Sequence, residues 1–174
     1  MSVDSILPYL EPLRQSVTVP GSPADVFDLF TARFGDWWPL SPPFAVFGDE
    51  TRSCGLEPRA GGDLFEVSRT GERCTWGRVT VWEPPGRLAF TWHPGRGEDI
   101  AQVVDVRFIA DGPATRVDLE HRDWQRLGAR AEVVRPGYEQ GWIVVLGRFA
   151  DFTVGTGART RLERETPRTS EHRP

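Results

Sequence analysis

His121 is the side chain best placed for chemistry. It continues the alternation Val117, Leu119, His121, while Arg116, Asp118 and Glu120 take the other parity, so the imidazole ends the buried face of a strand. There it can act as acid, base or hydrogen-bond donor, and it can equally be a histidine that only satisfies the core. In an enzymatic reading, Tyr138 or Glu66 would share protons with it. His93 falls on the parity opposite Trp92, away from the buried face. No nucleophile–base pair and no paired carboxylates stand out, so no catalytic residue is assigned and a binding role is expected ahead of an enzymatic one. His93 and His121 are the only histidines before the polar C-terminal stretch, on strands of opposite facing, and Cys54 and Cys74 lack ligand spacing. Neither a metal nor a cofactor is expected.

The richer signal is apolar and aromatic. Residues 138–154 carry the longest helical hydrophobic period, with Tyr138, Trp142, Val145, Phe149 and Phe152 on one stripe and Gln140, Arg148 and Asp151 opposite. Such a stripe is either plain core or the wall of a chamber. Gly141 and Gly147, each unfavourable by about 1 kcal/mol in a helix interior, hint at close packing or at a space. A small apolar or aromatic ligand between this helix and a sheet would meet Trp38, Trp92, Val106, Phe108, Leu119, His121, Tyr138, Trp142, Val145 and Phe149.

The elements that must position these residues follow in order. Residues 15–19 alternate like a strand that starts near Arg14, and Pro20 with Gly21 stops it. Ser22 then caps a helix over residues 23–32, with Pro23 in its first turn and Asp25 favourably placed at its N-terminus. Trp37 and Trp38 sit on a turn before Pro39, Pro42 and Pro43, either plugging the core or closing a pocket mouth. From residue 51 to residue 124 six strands are predicted, separated by Gly- and Pro-marked turns. Val104, Val106 and Phe108 share one buried face, as do Leu88, Phe90 and Trp92, and Val79 with Val81. Residues 64–68 are apolar on both parities and cannot be given a face. Pro136 suits the first position of the final helix, and helical signals end at Gly155. The predicted organisation is an extension over residues 1–13, one domain over residues 14–155 and a disordered polar tail over residues 156–174.

Composition narrows the partners. A net charge of −4 opposes a nucleic-acid surface, and Arg122, Arg126, Arg130 and Arg135 around Trp124 read as a solvated face. No apolar run is long enough for a membrane span, and two cysteines with no leader-like start point to a reducing cytoplasm. Cys54 and Cys74 should be free thiols, because a whole strand separates theirs in an antiparallel meander and holds them about 9–10 Å apart. The oligomeric state is not legible.

The order of strand, short helix, meander and long C-terminal helix resembles the helix-grip fold of START-like, birch-pollen-allergen-like proteins (the SRPBCC superfamily). Residues 57–62 (EPRAGG), 76–79 (WGRV), 90–92 (FTW), 119–124 (LEHRDW), 137–142 (GYEQGW) and 36–39 (DWWP) resemble the branch named for activators of the ninety-kilodalton heat-shock protein's ATPase. The resemblance spans roughly residues 14–154. It implies an α+β fold in which a curved, antiparallel, seven-stranded sheet wraps a long C-terminal helix. It also admits chaperone regulation through the outer surface and stress response, beside ligand binding and catalysis of the cyclase or hydrolase type using His121.

Overall fold

The computed structural model describes residues 9–165. β1 (Leu13–Pro20) opens the fold and turns through Gly21, whose φ of +113° favours glycine. α1 (Pro23–Ala32) begins as its sequence requires: Asp25 N–H donates to Ser22 Oγ at 3.2 Å, and Pro23 lies in the first turn. The single turn α2 (Phe34–Trp37) follows. Residues 38–47 then run without helix or strand ahead of β2 (Thr51–Leu56). The meander continues through β3 (Asp63–Ser68), β4 (Arg73–Glu83), β5 (Arg87–Trp92), β6 (Gln102–Asp111) and β7 (Ala114–Arg122), and α3 (Ala131–Glu165) closes the chain.

The seven strands form one antiparallel sheet in the order β1-β7-β6-β5-β4-β3-β2. β1 joins the far side of β7, with Leu13 opposite His121 and Val17 opposite Val117. Register shifts leave one extra residue in β2, at Arg52, and two in β4, at Trp76 and Thr80, which bend these strands and deepen the curl of the sheet. α3 and α1 fill the concavity, which is the helix-grip architecture expected. Cys54, Glu66 and Cys74 stand in register across β2, β3 and β4, so β3 separates the two free cysteines.

The shift at residues 79–81 corrects one strand face. Val79 pairs with Phe90, Val81 with Ala89 and Trp82 with Leu88, so Trp82 and not Val81 joins Val79 on the concave side. Its ring meets Phe27 at 5.1 Å. On β3 the concave side carries Leu64, Glu66 and Ser68, all buried, which settles the face that apolar parity left open.

α3 also departs from expectation at both ends. It begins at Ala131, so Pro136 lies inside it and leaves the Glu132 carbonyl without its helical donor. Packing outweighs that loss: Ala131 is buried, Val134 rests on the core, and Arg135 Nε donates to the Glu11 carbonyl at 3.1 Å. At the other end the helix passes Gly155 and runs to Glu165, correcting the expected tail over residues 156–165. A helix already nucleated gains one backbone hydrogen bond for each further residue fixed, without a new nucleation penalty, and the Thr156 hydroxyl donates back to the Phe152 carbonyl. Residues 166–174 of that expected tail lie outside the described residues.

Candidate functional site

Two indoles from the turn after α1 divide the interior. Trp37 is core, its Nε1 donating to the Phe30 carbonyl at 3.1 Å. Trp38 stacks on Phe34 at 5.1 Å and stands 5.4 Å from Trp76, 5.7 Å from Trp92 and 6.0 Å from Trp142. Its Nε1 donates to the Phe44 carbonyl at 3.0 Å, tying residues 38–47 back onto the cluster. Each such ring pair adds about 0.5–1.5 kcal/mol beyond area burial, so the indoles form a stiff wall.

Beside that wall lies a cavity of about 390 Å³. Trp38, Trp92 and Trp142 supply its aromatic side. Val134, Gly137, Tyr138, Gly141 and Val145 of α3 form a second side, Pro94 and Arg96 of the β5–β6 connection a third, and Pro43, Phe44, Ala45 and Val46 the fourth. Apart from the indole N–H groups, the Tyr138 hydroxyl and the Arg96 guanidinium are the polar side chains on this lining. Burial raises the Tyr138 phenol above its ordinary value, against the opposing pull of the Trp92 indole and the Arg96 charge, so it stays protonated as a donor. Trp92 Nε1 itself has no partner at hydrogen-bond distance among the described residues and influences Tyr138 only from further away.

Of the ten residues expected around a ligand, Trp38, Trp92, Tyr138, Trp142 and Val145 line the cavity. Val106, Phe108, Leu119, His121 and Phe149 do not; they are buried core. The reason is α1. Phe27 meets Phe108 at 5.1 Å, while Phe30 meets Phe108 at 5.4 Å and Phe149 at 5.1 Å, so two phenylalanines fill the part of the concave sheet where ligand contacts were expected.

His121 is sealed behind the wall. The Trp142 indole N–H donates to His121 Nδ1 at 3.1 Å, the Trp124 ring lies 4.0 Å away, and Tyr138 closes another side at 5.0 Å. Because Nδ1 accepts, the ring proton sits on Nε2, where it is buried without a partner among the described residues. Burial, with a smaller contribution from the Arg135 charge, pushes the imidazole down to about 3, so it is neutral across the physiological range. His121, Tyr138 and Glu66 are therefore not gathered into one proton-handling group: three strands separate β3 from β7. His93 is also buried, its Nδ1 donating to the Arg96 carbonyl at 3.0 Å. Among the described residues no cluster of three or more His, Cys, Asp or Glu is placed to hold a metal ion.

Glu66 has a different task. It is fully buried, at 0% exposure, and its Oε1 accepts the N–H groups of Val46 at 2.7 Å and Phe47 at 3.2 Å. The Thr51 hydroxyl donates to its Oε2 at 3.2 Å. Sequence reasoning missed residues 43–46 because an irregular, Pro-rich segment has no period to place it. For Gly137 and Gly141 a signal existed: spaced four apart on the inward helix face, they leave room where side chains would stand. Gly147, which shared the hint of a space, meets nothing within 4 Å and is not part of the lining.

Three of the four arginines around Trp124 have partners within the fold. Arg122 pairs with Asp105 and Glu120 on the convex face, and Arg126 donates to the Ala101 carbonyl, as Arg135 does to that of Glu11. No described helix is long and apolar enough to cross a membrane.

Comparison with known proteins places these features in context. Residues 20–153 match the family model described as activator of Hsp90 ATPase homolog 1-like protein. Among solved structures, one described as an anthrahydroquino-γ-pyrone synthase, Txn09, complexed with SUM is 31% identical, with 82% of this chain and 97% of that chain covered at a TM-score of 0.55. Protein NE0264 from Nitrosomonas europaea is 15% identical over 90% of this chain and 99% of its own, at a TM-score of 0.61. The Aha1 dimer from Colwellia psychrerythraea is 13% identical over 83% and 96%, at a TM-score of 0.59. No curated protein matches the chain.

Proposed function

Because the chain belongs to the family of activator of Hsp90 ATPase homolog 1-like proteins, we propose that it uses the cavity at the head of α3 to bind a flat, largely apolar aromatic molecule carrying one acidic or carbonyl end. The observation that carries this reading is the composition of the wall: three indoles and small aliphatic groups, with Tyr138 and Arg96 as the polar pair. A volume of about 390 Å³ falls in the range of small-molecule sites, which are mostly apolar with a few orienting groups. The rings would stack on the ligand, Arg96 would attract an acidic group and the Tyr138 phenol would donate to an oxygen. The 31% identity to a protein described as an anthrahydroquino-γ-pyrone synthase supports a polycyclic ligand. It also favours a second reading, in which the bound molecule reacts. Tyr138, and not His121, would then supply the proton, because it lines the cavity while His121 is walled off. Regulation of a chaperone ATPase would use the outer surface and is independent of the cavity.

The test is a fluorescence titration with anilinonaphthalene sulfonate against the parent protein, Arg96→Gln and Gly141→Leu. A Cβ at Gly141 would meet Phe44 at 3.7 Å, an ordinary contact, so leucine projects into the cavity while relieving the glycine cost to the helix of about 1 kcal/mol. Saturable one-to-one binding by the parent is expected, weakened roughly tenfold by Arg96→Gln, the scale of one charge-assisted contact. Gly141→Leu should abolish binding with no loss of melting temperature. Absence of saturable binding by the parent, or undiminished binding by Gly141→Leu, would overturn the reading.

A further inference from the structure

Glu66 lies on the concave face of β3 with no water-exposed surface, yet no ion pair reaches it among the described residues. A buried carboxyl without partners is strongly unfavourable, so something must satisfy it. Three donors do, and two of them are the backbone N–H groups of Val46 and Phe47. Those residues end the irregular segment 43–47, whose first four residues form one side of the cavity and which contains no helix or strand of its own. The segment is a strap. Its other tie is the Trp38 indole, which donates to the Phe44 carbonyl. Its apolar side chains reach across the mouth: Phe44 stands 3.7 Å from where a Gly141 Cβ would be, and Val46 lies 3.4 Å from the same point on Gly95.

We propose that Glu66 is a positioning residue that latches residues 43–47 over the cavity, so that entry and exit of a ligand require release of the strap from this one carboxyl. Glu66 does not line the cavity and acts only through the backbone it holds. Closure and satisfaction of the carboxyl are one event. With the strap down, two backbone donors and an otherwise costly buried acid are paired together. With the strap lifted, those donors and the acid must find water, which the same opening admits. The device has two discrete states because a half-lifted strap satisfies neither side. Its consequence for ligand traffic rests on the cavity reading above, while the latch itself does not.

The experiment combines amide hydrogen exchange with stopped-flow binding of anilinonaphthalene sulfonate on the parent, Glu66→Ala and Glu66→Gln. In Glu66→Ala the amides of Val46 and Phe47 should exchange at least tenfold faster relative to the amides of β5 to β7, and dye association and dissociation should both accelerate. Glu66→Gln keeps an acceptor oxygen for the same two N–H groups without charge assistance, so it should restore most of the protection and slow the dye again. Should Glu66→Ala fail to fold, a local rise in exchange at Val46 and Phe47 in Glu66→Gln carries the test. Unchanged exchange at these two amides, or an increase shared evenly with β5 to β7, overturns the latch and leaves Glu66 a general stabiliser. If the parent binds no dye, the cavity reading fails while amide exchange still decides the latch.

Discussion

The indole N–H of Trp142 donates to Nδ1 of His121 at 3.1 Å, joining the wall of the cavity to a fully buried polar group of the sheet. One side of the Trp142 ring faces the cavity and its polar edge faces away from it, so the residue is wall and core together. Truncation therefore has two separable effects.

Trp142→Phe keeps an aromatic wall but leaves His121 Nδ1 buried without a donor. A loss of about 1–3 kcal/mol is expected from that orphaned acceptor, measured by urea unfolding. Adding His121→Leu removes the orphan and should recover part of the loss, a coupling of about 0.5–3 kcal/mol in a double-mutant cycle. Strictly additive losses would mean the hydrogen bond contributes nothing.

His121 should also make the fold acid-sensitive. Its folded pKa of about 3 lies below its ordinary 6.5, so between these values the unfolded chain binds a proton that the folded chain refuses. Stability is full above about pH 6.5 and falls as pH drops toward 3, by up to about 1.4 kcal/mol per pH unit from this group alone. His121→Asn keeps an acceptor near Trp142 and does not titrate. Its unfolding free energy should fall less steeply than the parent's between pH 7 and pH 4, and parallel curves would refute the assignment.

Two glycines should respond in opposite directions to alanine. A Cβ on Gly77 would lie 1.7 Å from the Thr91 carbonyl oxygen, a backbone atom of the neighbouring strand, so β4 and β5 must part. Gly77→Ala should cost about 3 kcal/mol. Gly147, inside α3, meets nothing within 4 Å, and Gly147→Ala should stabilise by roughly 0.8–1 kcal/mol. Thermal melts of the two variants check both signs.

The sheet and its helix were legible because their signals are local: alternation along β6 and β7, the cap at Ser22 and turn residues at each hairpin all agree with the final packing. Half the site was legible for the same reason, since Tyr138, Trp142 and Val145 follow from helical spacing. What was hidden depends on contacts distant in sequence. Nothing in residues 23–32 says that Phe27 and Phe30 will occupy the concavity and push the cavity away from Phe108 and Leu119. The inward turn of Glu66 depends on a strap twenty residues earlier reaching it with two N–H groups. The shift at residues 79–81 that exchanges Val81 for Trp82 adds one residue to a strand whose parity looked unbroken. The start of α3 at Ala131 reflects packing that overrides a proline inside the helix.

The pairing of β1 with β7 has a consequence for synthesis on the ribosome. Arg14 and Glu120 are neighbours in the sheet although 106 positions apart in the chain. At about 5–20 residues per second, β1 emerges roughly 5–20 s before its neighbour in the sheet, β7, exists. The hairpins of the meander can zip up one after another during that interval, but β1 cannot join them. Throughout it, the strand Leu13–Pro20 offers an unpaired, β-branched edge to any other nascent chain nearby, and the proline at its end and the arginine near its start are the features that blunt it.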